Sequence, residues 1–128
     1  MSSYTSISRK YESPKVPTRK GHCVRSFSEK RIADFLYRLK TQYNYEKPFR
    51  TKEGKIIYPD FYLPQYNLYI EFWGLYEKGK ATDYNKTREW KLKRYKELNI
   101  KVLELFPNNY GKLEKVLFVR LNSSVRYE

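Results

Sequence analysis

The chain has one cysteine, Cys23, and one histidine, His22. A single thiol excludes an internal disulfide and a multi-cysteine zinc site. It fits a reducing, intracellular setting such as cytoplasm or nucleoid. A single imidazole beside Gly21 excludes chemistry that needs a histidine cluster. No run approaches the ~20 apolar residues of a membrane-spanning helix. The first twenty residues also lack the apolar stretch of a signal peptide, and no internal repeat is visible. Acid is scarce: 14 Asp and Glu stand against 27 Lys and Arg, for a formal net charge of +13. Such an excess points to a polyanionic partner, nucleic acid foremost. A merely basic, solvated surface is the plainer account of the same number.

Against these shortages stand 40% hydrophobic and 18% aromatic residues, with 14 tyrosines. A chain of 128 residues with that share folds as one domain. Tyrosine packs with its ring and keeps a polar tip, which suits a wet, half-buried surface. Residues 1–22 are rich in Ser, Lys, Arg and Pro, and Pro14 and Pro17 prevent a continuous helix. They read as a flexible basic arm, either tracking a phosphate backbone or simply solvated. The domain then runs over 23–128.

Its elements alternate. Ser26-Phe27-Ser28-Glu29 fits an S-x-x-E capping box, and Ile32, Phe35, Leu36 and Leu39 follow at helical spacing. Asn44 to Phe49 predicts a strand, and Lys52-Glu53-Gly54-Lys55 a turn. Ile56 to Leu63 and Leu68 to Trp73 predict a second and a third strand. Pro64-Gln65-Tyr66-Asn67 joins them as a tight hairpin with Gln65 and Tyr66 as its loop. A loop over Gly74 to Thr82 leads into a helix from Asp83 to Asn99. Ile100 to Phe106 predicts a fourth strand, and Leu113, Val116, Leu117 and Leu121 mark a last helix. The order, αβββαβ and a final α, describes an α/β fold with a mixed central sheet flanked by helices.

Strand alternation separates two chemistries. Ile57, Pro59, Phe61 and Leu63 share one face of the second strand; Asp60 shares the other with Tyr58 and Tyr62. Leu68, Ile70 and Phe72 share one face of the third strand; Glu71 shares the other with Tyr69 and Trp73. The hairpin register that sets Leu63 against Leu68 sets Asp60 against Glu71. Like charges so placed destabilise a hairpin, unless a hard cation such as Mg²⁺ or Mn²⁺ sits between them. Solvent exposure or a neighbouring Arg or Lys is the alternative. In the following helix Tyr84, Arg88, Lys91, Tyr95 and Leu98 form one stripe. Lys91 therefore points to the sheet, either to reach the acids or to snorkel past its neighbours. Lys93 falls on another face.

These residues resemble the PD-(D/E)XK nuclease superfamily, whose fold is restriction-endonuclease-like. The matching strings are Tyr58-Pro59-Asp60-Phe61 and, after a ten-residue gap between the acids, Ile70-Glu71-Phe72-Trp73-Gly74. Ser28-Glu29-Lys30-Arg31-Ile32-Ala33 resembles the family's first-helix acid motif, and Tyr45-Glu46-Lys47-Pro48 its first strand. Small nuclease domains fused to some superfamily-one DNA helicases share this pattern. The resemblance covers roughly residues 24–106. It implies a metal held by Asp60, Glu71 and the backbone carbonyl of Phe72, with Glu29 assisting through water. Capping alone also accounts for Glu29. The family's usual lysine stands two residues after the second acid, where this chain has Trp73. Several branches move that lysine to the next helix, which would make Lys91 its counterpart.

The expected activity is therefore Mg²⁺- or Mn²⁺-dependent hydrolysis of phosphodiester bonds in DNA, by an endonuclease. Asp60, Glu71, Lys91 and Glu29 would form its catalytic set. Lys78 and Lys80 in the loop, with Lys86 and Arg88 in the helix after it, are the expected backbone contacts. A structure-specific enzyme, such as a Holliday junction resolvase or nickase working as a homodimer, is the runner-up. An inactivated, DNA-binding version of the fold is the rival from another class, and a basic coat protein a third.

Overall fold

The structure, a computed structural model, describes residues 13–126. Its strands are β1 (Val16–Pro17), β2 (Cys23–Val24), β3 (Asn44–Tyr45), β4 (Phe49–Arg50), β5 (Ile56–Ile57), β6 (Phe61–Leu63), β7 (Leu68–Phe72) and β8 (Lys101–Leu105). Three α-helices accompany them: α1 (Phe27–Arg38), α2 (Asp83–Glu97) and α3 (Leu113–Arg126).

Local chemistry starts and stops the helices where the sequence says it should. Ser26 is extended, and its side chain accepts a hydrogen bond from the Glu29 amide at the head of α1. Thr82 caps α2 in the same way, accepting from the Asn85 amide at 3.0 Å. Past the end of α1, Lys40 turns left-handed (φ 57°), and past α2 Asn99 does the same (φ 56°).

The main sheet has the order β3-β6-β7-β8. β3, β6 and β7 are antiparallel neighbours, while β8 runs parallel to β7 after the crossover through α2. The sheet is thus mixed, as expected. Leu63 pairs with Leu68, Tyr62 with Tyr69 and Phe61 with Ile70, which is the register read from the sequence. The loop is longer than expected, because Pro64 opens a 3-10 turn through Tyr66 and Asn67 closes it left-handed.

Two expected strands are each broken in two. The run Asn44 to Phe49 bends at Glu46, which is left-handed (φ 52°), and at Pro48, which offers no amide hydrogen. The run Ile56 to Leu63 breaks around Pro59 for the same lack of a donor. The outer halves, β4 and β5, pair with each other in a separate ribbon. The basic arm read over residues 1–22 also changes: 1–12 lie outside the described residues, and β1 pairs with β2 in a hairpin. That hairpin is tied to α1, where Lys30 donates to the Pro17 carbonyl and Asp34 accepts from the Arg19 amide. Among the described residues no helix is long and apolar enough to cross a membrane.

The core lies between one face of the sheet and the pair α1 and α3. Ile32, Ala33 and Leu36 meet Leu113, Leu117 and Leu121 over Phe61, Leu63, Leu68, Ile70, Leu103 and Leu105. Burying a side chain of this size fully contributes roughly 1.5–3 kcal/mol. α2 covers the other face, where Tyr69 stacks on Tyr95. The central strand β7 is therefore covered on both sides.

Candidate active site

Pro59 interrupts the ladder one residue before Asp60, and side chains take over the pairing there. The Asp60 amide donates to Glu71 Oε1 at 3.2 Å, and the Phe72 amide donates to Asp60 Oδ2 at 2.7 Å. Each carboxylate thus accepts from the backbone of the opposite strand, which brings the two acids face to face. Both are 2% exposed. Phe72, whose carbonyl is the expected third donor, follows Glu71 directly and is bound to Asp60 through its amide.

The stripe on α2 reaches this pair. Lys91 is buried, and its Nζ stands 4.0 Å from Glu71 Oε2. That is an ion-pair distance and beyond hydrogen-bond reach. The same amine lies 5.7 Å from the centre of the Trp73 ring. Trp73 is buried against Tyr84, with the residue fixing neither acid through a hydrogen bond of its indole nitrogen. Lys93, two residues on, is exposed.

Tyr95, one turn further along the stripe, donates to Glu71 Oε2 at 2.5 Å. Burial, then the charge of Glu71 beside it, pushes its hydroxyl well above the ordinary tyrosine range. It therefore stays a donor to the carboxylate. The sequence places Tyr95 on the stripe but gives no sign of this bond, since an apolar ring suffices to explain its position.

Glu29 is buried at the head of α1. Its Oε1 accepts from the Arg25 amide at 2.9 Å and from the Tyr45 hydroxyl at 2.7 Å. Burial, then the charge of Glu29, raises the Tyr45 hydroxyl, and Asp60 adds to the rise. Tyr45 therefore lies in the field of both acids. Arg25 in turn forms a two-pronged pair with Glu46. The sequence gives no sign of these bonds of Tyr45 and Arg25, because they depend on the bend at Glu46.

The expected DNA contacts divide. Lys78, Lys80 and Lys86 are exposed, with Lys80 paired to Glu77 at 3.1 Å. Arg88 is placed otherwise. It pairs with Glu104 at 2.6 Å and lies over the rings of Tyr76 and Phe106. Its stripe position turns it toward β8 instead of solvent. The loop bearing Lys78 and Lys80 is pinned by Asn85, whose amide donates to the carbonyls of Glu77 and Lys80. Asn85 is buried and reads in the sequence only as a helix-start residue.

The buried ionisable side chains are mostly acidic, the reverse of the chain as a whole. Among the described residues they are Glu29, Asp60, Glu71 and one lysine, Lys91. Three acids and one base are thus buried in a protein of net charge +13. No group of three or more His, Cys, Asp or Glu set to hold a metal occurs among the described residues. Comparison with protein-family models, curated proteins and solved structures finds no match.

Proposed function

We propose that the chain is a divalent-metal-dependent nuclease acting on DNA, with Asp60 and Glu71 as the metal's side-chain ligands. The observation that carries this reading is the buried pair itself, opposed across two strands with a lysine amine 4.0 Å from one member. Breaking or crowding charges in a low-dielectric interior is costly, commonly several kcal/mol for one left uncompensated. An ion offsets that cost. The donors are hard carboxylate oxygens, with the Phe72 carbonyl adjacent, and Mg²⁺ typically takes one or two carboxylates and completes its shell with water and substrate. That chemistry suits a pair better than a closed cage.

A bound divalent ion supplies Lewis-acid polarisation of a phosphate and a more acidic water. The chain's own residues do the rest. Tyr95 holds Glu71 by its hydroxyl, and the Phe72 amide holds Asp60, so neither carboxylate needs to reorganise. Lys91 brings a fixed positive charge to the place where negative charge grows on phosphorus. Glu29, held by Tyr45 and Arg25, stands at the head of α1 as an acceptor for a water. The net charge of +13 supplies attraction to a phosphate backbone that weakens with salt.

Trp73 favours a second reading, a DNA-binding module without chemistry, because it fills the position where the resembled family carries its usual lysine. One experiment separates the two. Plasmid and four-way-junction DNA are incubated with the protein in Mg²⁺, Mn²⁺ or EDTA. Cutting that needs metal and disappears in Asp60→Ala and Glu71→Ala, with binding kept, is the expected result. Binding without cutting in either metal contradicts the nuclease reading and leaves the module.

A further inference from the structure

We infer that a cavity at the far end of α1 holds a second backbone phosphate of the same DNA strand. This inference rests on the DNA reading above and extends it from the cut to the way the strand is held. The cavity measures about 440 Å³ and lies between the tip of the β1–β2 hairpin and the C-terminal end of α1. Arg19 and Lys20 line it from the hairpin, Arg38 and Lys40 from the helix end, and Tyr37 and Tyr43 form its aromatic wall. No carboxylate is among its lining residues.

Specific contacts fix the segments that carry these basic residues. The Arg19 amide is fastened to Asp34 Oδ1 at 2.9 Å while Lys30 takes Oδ2, so the hairpin tip is moored on α1 and Asp34 is occupied. Lys20 donates to the Tyr43 carbonyl at 3.1 Å and lies over the Tyr43 ring. Arg38 lies over Phe35. The partial negative charge at a helix C-terminus accounts for Arg38 and Lys40, but not for Arg19, which arrives from another element. Lys40 is also left-handed, with φ 57°, at a position where glycine is the ordinary residue. A lysine kept in strained backbone, on a cavity lined by three other basic residues, fits a role for its charge.

The spacing suits one strand reaching both places. From Glu29 to Lys40 is eleven residues of α1 and its end, roughly 16 Å at the helical rise. From Tyr45 back to Thr41 along the extended chain is roughly 13 Å. At about 3.4 Å of duplex axis per nucleotide, the cavity lies about four to five nucleotides from Glu29 and from Tyr45, whose strand partner Phe61 adjoins Asp60. The path follows β3, an edge strand of the sheet, where Asn44 and, just before the strand, Gln42 are exposed and uncharged. Glu46 at its end is paired with Arg25.

The test measures binding of a labelled 20-base-pair duplex by fluorescence anisotropy in EDTA, across a salt series, for the full chain. The variant Arg19→Gln/Lys40→Gln is compared with the charge-matched Lys93→Gln/Lys96→Gln on the outer face of α2. The cavity variant should bind about tenfold more weakly than the control, with a salt slope shallower by about one, the share of one phosphate. Lys40→Gly gives a readout that unfolding cannot imitate: it should raise the melting temperature by relieving the left-handed strain, yet weaken DNA binding. Equal losses in the cavity and control variants, or unchanged binding in Lys40→Gly, overturn the inference. So does a cavity variant that loses binding to phosphatidylserine vesicles while its DNA binding matches the control. Because these measurements contain no metal, a failure to cut DNA in the nuclease assay leaves their outcome readable.

Discussion

Ile70 and Glu71 are neighbours in β7, 0% and 2% exposed, and they face opposite layers. Ile70 points into the cluster under α1 and α3, among Leu and Ile side chains. Glu71 points under α2, where it meets the Asp60 backbone, the Tyr95 hydroxyl and the Lys91 amine. One face is held together by dispersion and exclusion of water; the other is a set of polar groups satisfying one another. Equal burial therefore says nothing about equal purpose. Stability and chemistry should be separable by substitutions one residue apart.

The largest expected effect is on the polar face. Glu71→Gln should lower metal-dependent cutting by about 10³-fold or more, the several kcal/mol a metal contributes to the transition state. It should cost less in unfolding free energy, about 1–2 kcal/mol, since a glutamine removes a like charge but keeps only one of the two acceptor oxygens that Glu71 uses. Ile70→Ala should do the reverse, costing roughly 2–5 kcal/mol in denaturant unfolding while the folded fraction still cuts. Loss of both properties in both variants would erase the distinction between the faces.

Lys91→Ala sharpens the comparison further. It should lower the cutting rate by about 10²-fold, as loss of one fixed charge near the reacting phosphate does, whereas Lys93→Ala should change little. Equal effects would remove Lys91 from the chemistry. Tyr95→Phe should act more weakly, by about tenfold or less in rate, with roughly 1 kcal/mol lost in stability for one hydrogen bond. Because the Tyr95 hydroxyl is raised, its contribution to stability is intact below the ordinary tyrosine range and is lost as pH rises beyond it.

The smallest effect belongs to the apolar side's outer clasp. Arg31 holds Glu114 by two hydrogen bonds between α1 and α3, and this holds the Glu114 carboxyl below the ordinary glutamate range. A depressed carboxylate contributes stability above its unfolded value and loses it as pH falls through the folded one. The pair is partly exposed, so the effect is screened. Glu114→Gln should slightly flatten the acid limb of a melting-temperature profile, and an unchanged limb would contradict this.

Much of this division was legible in the sequence. Period-two alternation assigned the faces of the second and third strands, and the Leu63–Leu68 pairing follows from the hairpin's length. Helical spacing put Lys91 toward the sheet. What escaped the sequence depends on contacts between distant segments. The breaks at Glu46 and Pro59 divert β4 and β5 into their own ribbon, although propensity favours unbroken strands. Arg88 lies on the same stripe as Lys91, yet Glu104 claims it from the neighbouring strand. Tyr95 and Asn85 carry residue types common in any helix, and only their partners give them roles.

The claim on which the rest depends is that Asp60 and Glu71 bind a divalent ion together. Isothermal titration of Mn²⁺ into the protein without DNA measures this directly, in wild type and in Asp60→Asn and Glu71→Gln. The account predicts one site in the wild type that either substitution abolishes or weakens by at least about tenfold, the loss of one charged ligand. Absence of Mn²⁺ binding, or binding that both substitutions leave untouched, would contradict it.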